Sequence, residues 1–294
     1  MFKLAEFTHI GRMIDPRYPT NLAILIWCTI VGALMLGFRL VSDAEIVQAI
    51  LDSVMAGITV FMTWALAREI DPQEQLSAFV AVSLMTIVLF VVGVQFNLIV
   101  LAYMLTMSRI VNRSVGLPAT LSDSTMLLLF TGFVGIVGSW IFALMGAAMF
   151  LLDSILPNRD RKHVFFGIFS VAIAIVAFVI QSSSLNSILP TVEYAVGMLA
   201  VTFIFVPTIV KSKHLTVIAD ATREPLTPIR VQALQAIAVL AGFYVAFWQG
   251  NQGVVEFLPL WVTTAGVSLF PLVKLLLPEI DLSRRKTDKL KSIS

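Results

Sequence analysis

Between Leu76 and Val111 the chain runs for 36 residues with a single charged side chain, Arg109. As one helix that stretch would be about 50 Å long, against a hydrocarbon core of about 30 Å in a bilayer. A second run, Ser124 to Leu156, is nearly as long. Shorter apolar runs fall at Asn21–Val41, Ile46–Ala67, Val164–Gln181, Leu189–Val210, Val231–Trp248 and Val254–Leu277. Hydrophobic residues make up 58% of the chain and charged residues 13%, with a mean hydropathy of +0.93. That is about half the charged share of a soluble domain. The expected fold is therefore an all-α polytopic membrane protein with short loops. Residues 1–294 are expected to form one integral membrane domain.

Both long runs are expected to fold back on themselves, because each carries turn residues near its middle: "GVQFN" at Gly93–Asn97 and "GIVGSW" at Gly135–Trp140. Cytoplasmic loops are enriched in Lys and Arg, which tests this reading. With both runs as hairpins there are about ten transmembrane helices, and every basic residue except Arg39 and Lys274 falls in a segment on one side. Lys274 sits one turn inside that same edge. Both termini are then cytoplasmic, and a prokaryotic cytoplasmic membrane is the expected location. Were the second run a single crossing, the basic N-terminal segment and the basic tail at 278–294 would lie on opposite sides. Each hairpin arm is only about 25 Å of helix, so eight spans plus re-entrant hairpins is the alternative.

The segment 1–19 places Phe2, Leu4, Phe7, Ile10, Met13 and Ile14 at helical spacing among Lys3, Glu6, His9 and Arg12, which predicts a short helix in the membrane interface. The run that follows is too long for a signal-peptide core and no A-x-A-like site follows it, so it is expected to stay as a spanning helix.

Two constellations carry ionisable groups where a membrane protein has few. On the outer side lie Asp43, Glu45, Asp52, Glu193 and Glu256 with one basic neighbour, Arg39. Asp52 and Glu193 fall within apolar runs, and an ionisable group there faces a cavity or a partner. Asp52 can pair with Arg39 or bind a cation or proton. In the last helix Pro259 and Pro271 flank Thr263, Thr264 and Gly266, and Pro207 interrupts the eighth. Such breaks free carbonyls that line transport pathways.

The second constellation is cytoplasmic: "AREIDPQEQ" supplies Arg68, Glu69 and Asp71, and the loop from 108 to 124 supplies Arg109, Asn112 and Arg113. Boundary chemistry accounts for part of it. Asp71-Pro72 with Glu74 reads as the capped start of the third helix, Asp15-Pro16 repeats the device before the first, and Ser122 or Asp123 reads as the cap of the fifth. The functional reading is a site for a phospholipid or polyprenyl phosphate head, since guanidinium groups bind phosphate bidentately.

The three histidines, His9, His163 and His214, lie in separate segments, so no histidine metal cluster is expected. No nucleotide-binding loop or nucleophile elbow is present, no cofactor is expected, and the scattered basic residues do not suit nucleic acid. One cysteine, Cys28, excludes an intramolecular disulfide. In size, short loops and ten expected spans with both ends inside, the chain is similar to small secondary carriers such as the drug/metabolite transporter superfamily. That similarity implies a permease for a small solute, using Asp52, Glu193, Arg39, Thr263, Thr264 and Gly266. An enzyme or flippase acting on a lipid phosphate through Arg68, Glu69, Asp71, Arg109, Asn112 and Arg113 is the second reading. A non-catalytic accessory protein is the third. The lipid bilayer is the partner common to all three.

Overall fold

Backbone N–H and C=O groups in hydrocarbon find no water, so a chain this apolar satisfies them within helices. The computed structural model describes residues 8–12, 14–93, 96–181 and 189–276. Among these residues ten α-helices form: α1 (Pro19–Val41), α2 (Ile46–Ile70), α3 (Ser77–Val92), α4 (Leu98–Asn112), α5 (Leu121–Phe133), α6 (Trp140–Ile155), α7 (His163–Gln181), α8 (Val192–Lys211), α9 (Pro228–Glu256) and α10 (Leu258–Leu276). A π-helical turn, Val134–Gly138, prolongs α5. Among the described residues the only extended pairing is one antiparallel bridge, Ile218 with Pro225.

Among the described residues seven helices are long and apolar enough to cross a membrane: α1, α2, α5 with its extension, α7, α8, α9 and α10. The other three, α3, α4 and α6, are apolar and 15 or 16 residues long. Outward-facing apolar stripes fit a lipid surround. On α1, Leu22, Ile26, Ile30 and Leu34 repeat every fourth residue and are all exposed.

Both long runs reverse where their turn residues lie. Gly93 closes α3 at φ 89°, a left-handed backbone that suits glycine, and the Asn97 side chain accepts the Val100 N–H to open α4. The second reversal is held by α7: the Gln181 amide donates to the Gly135 (3.0 Å) and Ile136 (3.2 Å) carbonyls and accepts the Trp140 N–H (3.1 Å). One glutamine thus serves the polar groups that the turn releases from helix bonding. The arms of the first reversal splay: α3 packs on α10 and α2, whereas α4 packs on α2, α6 and α9.

Several boundary expectations are corrected. The third helix begins at Ser77, six residues beyond Asp71. Asp71 instead closes α2, its N–H bonded to Ala67 O, and no side chain caps α3. Tyr18, not Asp15, precedes α1, and Asp15 holds the turn before it through the Arg17 N–H (3.0 Å). Thr120 caps α5, with Asp123 as the third helical residue completing a capping box. Residues 8–12 and 14–18 do not form the expected interfacial helix; polar groups of this segment are bonded to other parts of the chain. Residues 1–7 and the tail at 278–294 lie outside the described residues.

The prolines do not break their helices either. Pro207 and Pro271 sit inside continuous helices, and Pro259 lies in the first turn of α10, where no donor is lost. The interruption falls in α9, at Gly250 (φ 62°, ψ −141°). Gly266 has a packing role: a Cβ there would stand 2.3 Å from Ala81 Cα, so α10 meets α3 backbone to backbone. Gly266→Ala is therefore expected to lower unfolding stability in detergent by roughly 1–3 kcal/mol. Gly197→Ala, with open space around it, is the control and should leave the melting temperature unchanged or raise it.

Candidate functional site

The ends of α2, α4 and α6 and the starts of α5, α7 and α9 converge at one end of the bundle, where two fully buried carboxylates organise the cations around them. Asp153, at the end of α6, receives Arg113 through both oxygens (2.9 Å each), Arg230 on Oδ1 (2.7 Å) and His163 Nδ1 on Oδ2 (2.7 Å). Arg113 reaches it from a left-handed backbone (φ 51°) that ends α4. Arg230 is 1% exposed, and its remaining donors go to the Pro157 (2.7 Å) and Val111 (2.9 Å) carbonyls. One guanidinium so ties the start of α9 to the ends of α4 and α6. Such a group is costly to bury unless every donor is matched, and here the matching is extensive.

His163 continues the chain of bonds, its Nε2 lying 2.9 Å from Ser124 Oγ. Serine, histidine and aspartate stand in the order of a hydrolytic triad, but their surroundings differ. All three are buried, and Thr120 O, 2.8 Å from the Ser124 hydroxyl, competes with the ring for its hydrogen. Asp153 is also engaged by two arginines, so the arrangement fastens α5, α6 and α7 together.

Glu69, at the end of α2, is the second organiser. Its Oε1 accepts from Arg12 and Arg109 (3.1 Å each), and its Oε2 accepts from Asn112 (3.2 Å). Arg109 also donates to Ile10 O (3.1 Å), and Arg12 reaches Asp220 at 2.7 Å. Burial alone would lower the Arg12 pKa, but Glu69 and Asp220 together raise it above its ordinary value. The N-terminal segment is fastened a second time by Asp123, which accepts from the Thr8 hydroxyl (2.6 Å) and the His9 N–H (2.9 Å).

Between this segment, α2, α4 and a hairpin at 217–226 lies a cavity of about 1010 Å³. The hairpin docks on the loop after α4 through Asp220 N–H to Ser114 O (3.1 Å) and Ala221 N–H to Val115 O (3.0 Å). Gly116, at φ 100°, permits the approach, since a Cβ there would meet Thr222 and Ala219. The cavity wall includes Arg12, Arg68, Arg109 and Arg223, the acids Asp15, Glu69 and Asp220, and the apolar residues Phe61, Trp64 and Leu105. The Arg68 guanidinium lies over the Trp64 ring at 4.9 Å.

Of the residues singled out in the cytoplasmic constellation, Arg68, Glu69 and Arg109 line this cavity, and Asn112 stands behind Glu69. Arg113 belongs to Asp153 instead. Asp71 lines a separate cavity of about 200 Å³ with Lys211 and His214. Desolvation raises its pKa to about 6, against the pull of the Ser77 hydroxyl and Lys211. In the outer constellation Asp52 is paired with Arg39 at 2.6 Å, and Glu193 is exposed on the first turn of α8. Thr263 and Thr264 are buried with their hydroxyls on carbonyls of their own helix. Sequence reasoning missed Arg12, Asp220 and Arg223 as cavity residues, and Asp153 with Arg230 as organisers. The one signal for the last pair was an acid and a base at the ends of apolar runs.

The chain matches no family model, and no curated protein or solved structure is significantly similar to it.

Asp153→Ala leaves Arg230 and His163 buried without their anion, and should destabilise the protein by roughly 3–5 kcal/mol in chemical or thermal unfolding. A loss below 1 kcal/mol would show that this network is not structural. For Asp71, the folded pKa of about 6 exceeds the ordinary 3.8, so the folded state holds the proton more tightly. Its favourable contribution is complete below about pH 4 and is lost as pH rises through about 6. Asp71→Asn should therefore flatten the stability profile across that window and exceed the parent at pH 7.5 by up to roughly 3 kcal/mol.

Proposed function

We propose that the protein binds an anionic amphiphile, a lipid phosphate or polyprenyl phosphate, in the large cavity, and moves it from the cytoplasmic face of the membrane. The observation that carries this reading is the polarity gradient along the cavity wall. Phe61, Trp64, Ala65 and Arg68 recur on α2 at steps of three and four and all line the cavity, so one stripe passes from ring to guanidinium over about 10 Å. Leu105 and Arg109 repeat the pattern on α4. A hydrocarbon chain suits the first part and a phosphate the second.

Placing that cavity at the inner leaflet rests on a topology of ten spans with both ends cytoplasmic. In this topology α3, α4 and α6 are short spans of about 24 Å, and the basic loops lie together on the cytoplasmic side as the charge rule requires. Support for movement over bond-making comes from Glu69: this buried carboxylate of the wall has its oxygens taken by Arg12, Arg109 and Asn112, which does not suit a general base. The alternative of a soluble-solute permease through Asp52 and Glu193 draws less support, because neither lines this cavity.

The test is ligand-dependent thermal stability of the purified chain in detergent, with phosphatidic acid and farnesyl phosphate against diacylglycerol and farnesol. A ligand at 100 times its Kd stabilises by about 2.7 kcal/mol, so the phosphorylated pair should raise the melting temperature and the neutral pair should not. Equal shifts from both pairs would rule out an anion site.

A further inference from the structure

We infer that the group taken by this cavity is a terminal phosphate monoester, a dianion, held between Arg68 and Arg223; the inference rests on the anionic-amphiphile reading and makes it specific. The four guanidinium groups of the wall are not equivalent. Arg109 is committed to Glu69 and Ile10 O, and Arg12 is shared between Glu69 and Asp220. Arg68 and Arg223 have no carboxylate within 4 Å among the described residues. Of the acids on the wall, Glu69 and Asp220 are matched by these arginines, and Asp15 is turned to the Arg17 N–H. Two positive charges of the cavity wall, one on α2 and one on the hairpin, are therefore left over among the described residues.

Both are placed to receive a ligand. Arg68 rests on the Trp64 ring and reaches Asn21 Oδ1 at 3.4 Å, so its plane is oriented while most of its five donors have no partner among the described residues. Arg223 stands at the tip of the 217–226 hairpin, at φ 62°, exposed and lining the cavity. A terminal phosphate is mostly doubly charged at neutral pH, its second pKa being about 6, and offers three oxygens to two forks. A phosphodiester brings one charge and two free oxygens, which leaves one guanidinium unmatched.

The experiment measures binding to the full-length chain in detergent at pH 7.5 for four probes: dodecyl phosphate, a phosphatidylglycerol of matched chain length, inorganic phosphate and dodecanol. The expected result is a monoester Kd lower than that of the diester by about tenfold or more, with no binding of dodecanol. Arg68→Gln and Arg223→Gln should each abolish that preference with the ligand-free melting temperature unchanged. If Arg68→Gln fails to fold, Arg223→Gln, on the exposed hairpin tip, decides the matter alone. Equal affinity for monoester and diester overturns the clamp and leaves the amphiphile reading standing. Inorganic phosphate binding as tightly as dodecyl phosphate supports the clamp and overturns the amphiphile reading. Binding of none of the anions overturns both.

Discussion

A carboxylate removed from water is stable only where cations and N–H donors replace its solvation, and in this protein two such groups, Asp153 and Glu69, decide how the helices meet. Asp153 draws Arg113, Arg230 and His163 from three different parts of the chain. Glu69 draws Arg12 and Arg109. Apolar packing between helices gains little from lipid exclusion alone, since acyl chains are as apolar as the side chains they would replace. The ion networks supply the specificity that apolar surfaces cannot. They also concentrate charge at one end of the bundle, where the large cavity lies.

The cavity depends on the N-terminal segment, which forms one of its walls. Arg12 joins that segment both to α2, through Glu69, and to the hairpin after α8, through Asp220. The two partners of Arg12 differ in burial: Glu69 is fully enclosed, whereas the Asp220 side chain is half exposed. The half-exposed pair with Asp220 is therefore the weaker and more readily exchanged of the two. The scaffold and the replaceable contact are thus carried by one side chain.

Hydropathy made the helices and the two reversals legible, because length against bilayer thickness is a one-dimensional property. Cap positions were less so. Asp71-Pro72 has the local chemistry of a helix start, yet burial of Asp71 at the end of α2 and an irregular turn of six residues took precedence. The prolines signalled breaks that do not occur, and Gly250, which does interrupt α9, lies in a run of polar and small residues with no distinctive pattern. The cytoplasmic constellation was legible as a cluster of residue types, and Arg68, Glu69 and Arg109 do share one cavity. Its partition was not, since Arg109, in the last turn of α4, and Arg113, the left-handed residue that ends it, are four residues apart and serve different carboxylates. Contacts such as Arg230 with Asp153, 77 residues apart, leave no local trace.

The clasp of the N-terminal segment also has a consequence for the order in which the molecule is made. Thr8 and Arg12 leave the ribosome first, but their partners Asp123 and Asp220 follow more than a hundred and more than two hundred residues later. Until the hairpin at 217–226 emerges, Arg12 lacks Asp220, its second carboxylate, and the cavity lacks the wall the hairpin supplies. Contacts of such sequence separation close late in folding. The cavity is therefore completed only after eight of the ten helices of the described residues have been synthesised, so a chain stalled before that point exposes the aromatic stripe of α2 without its cover.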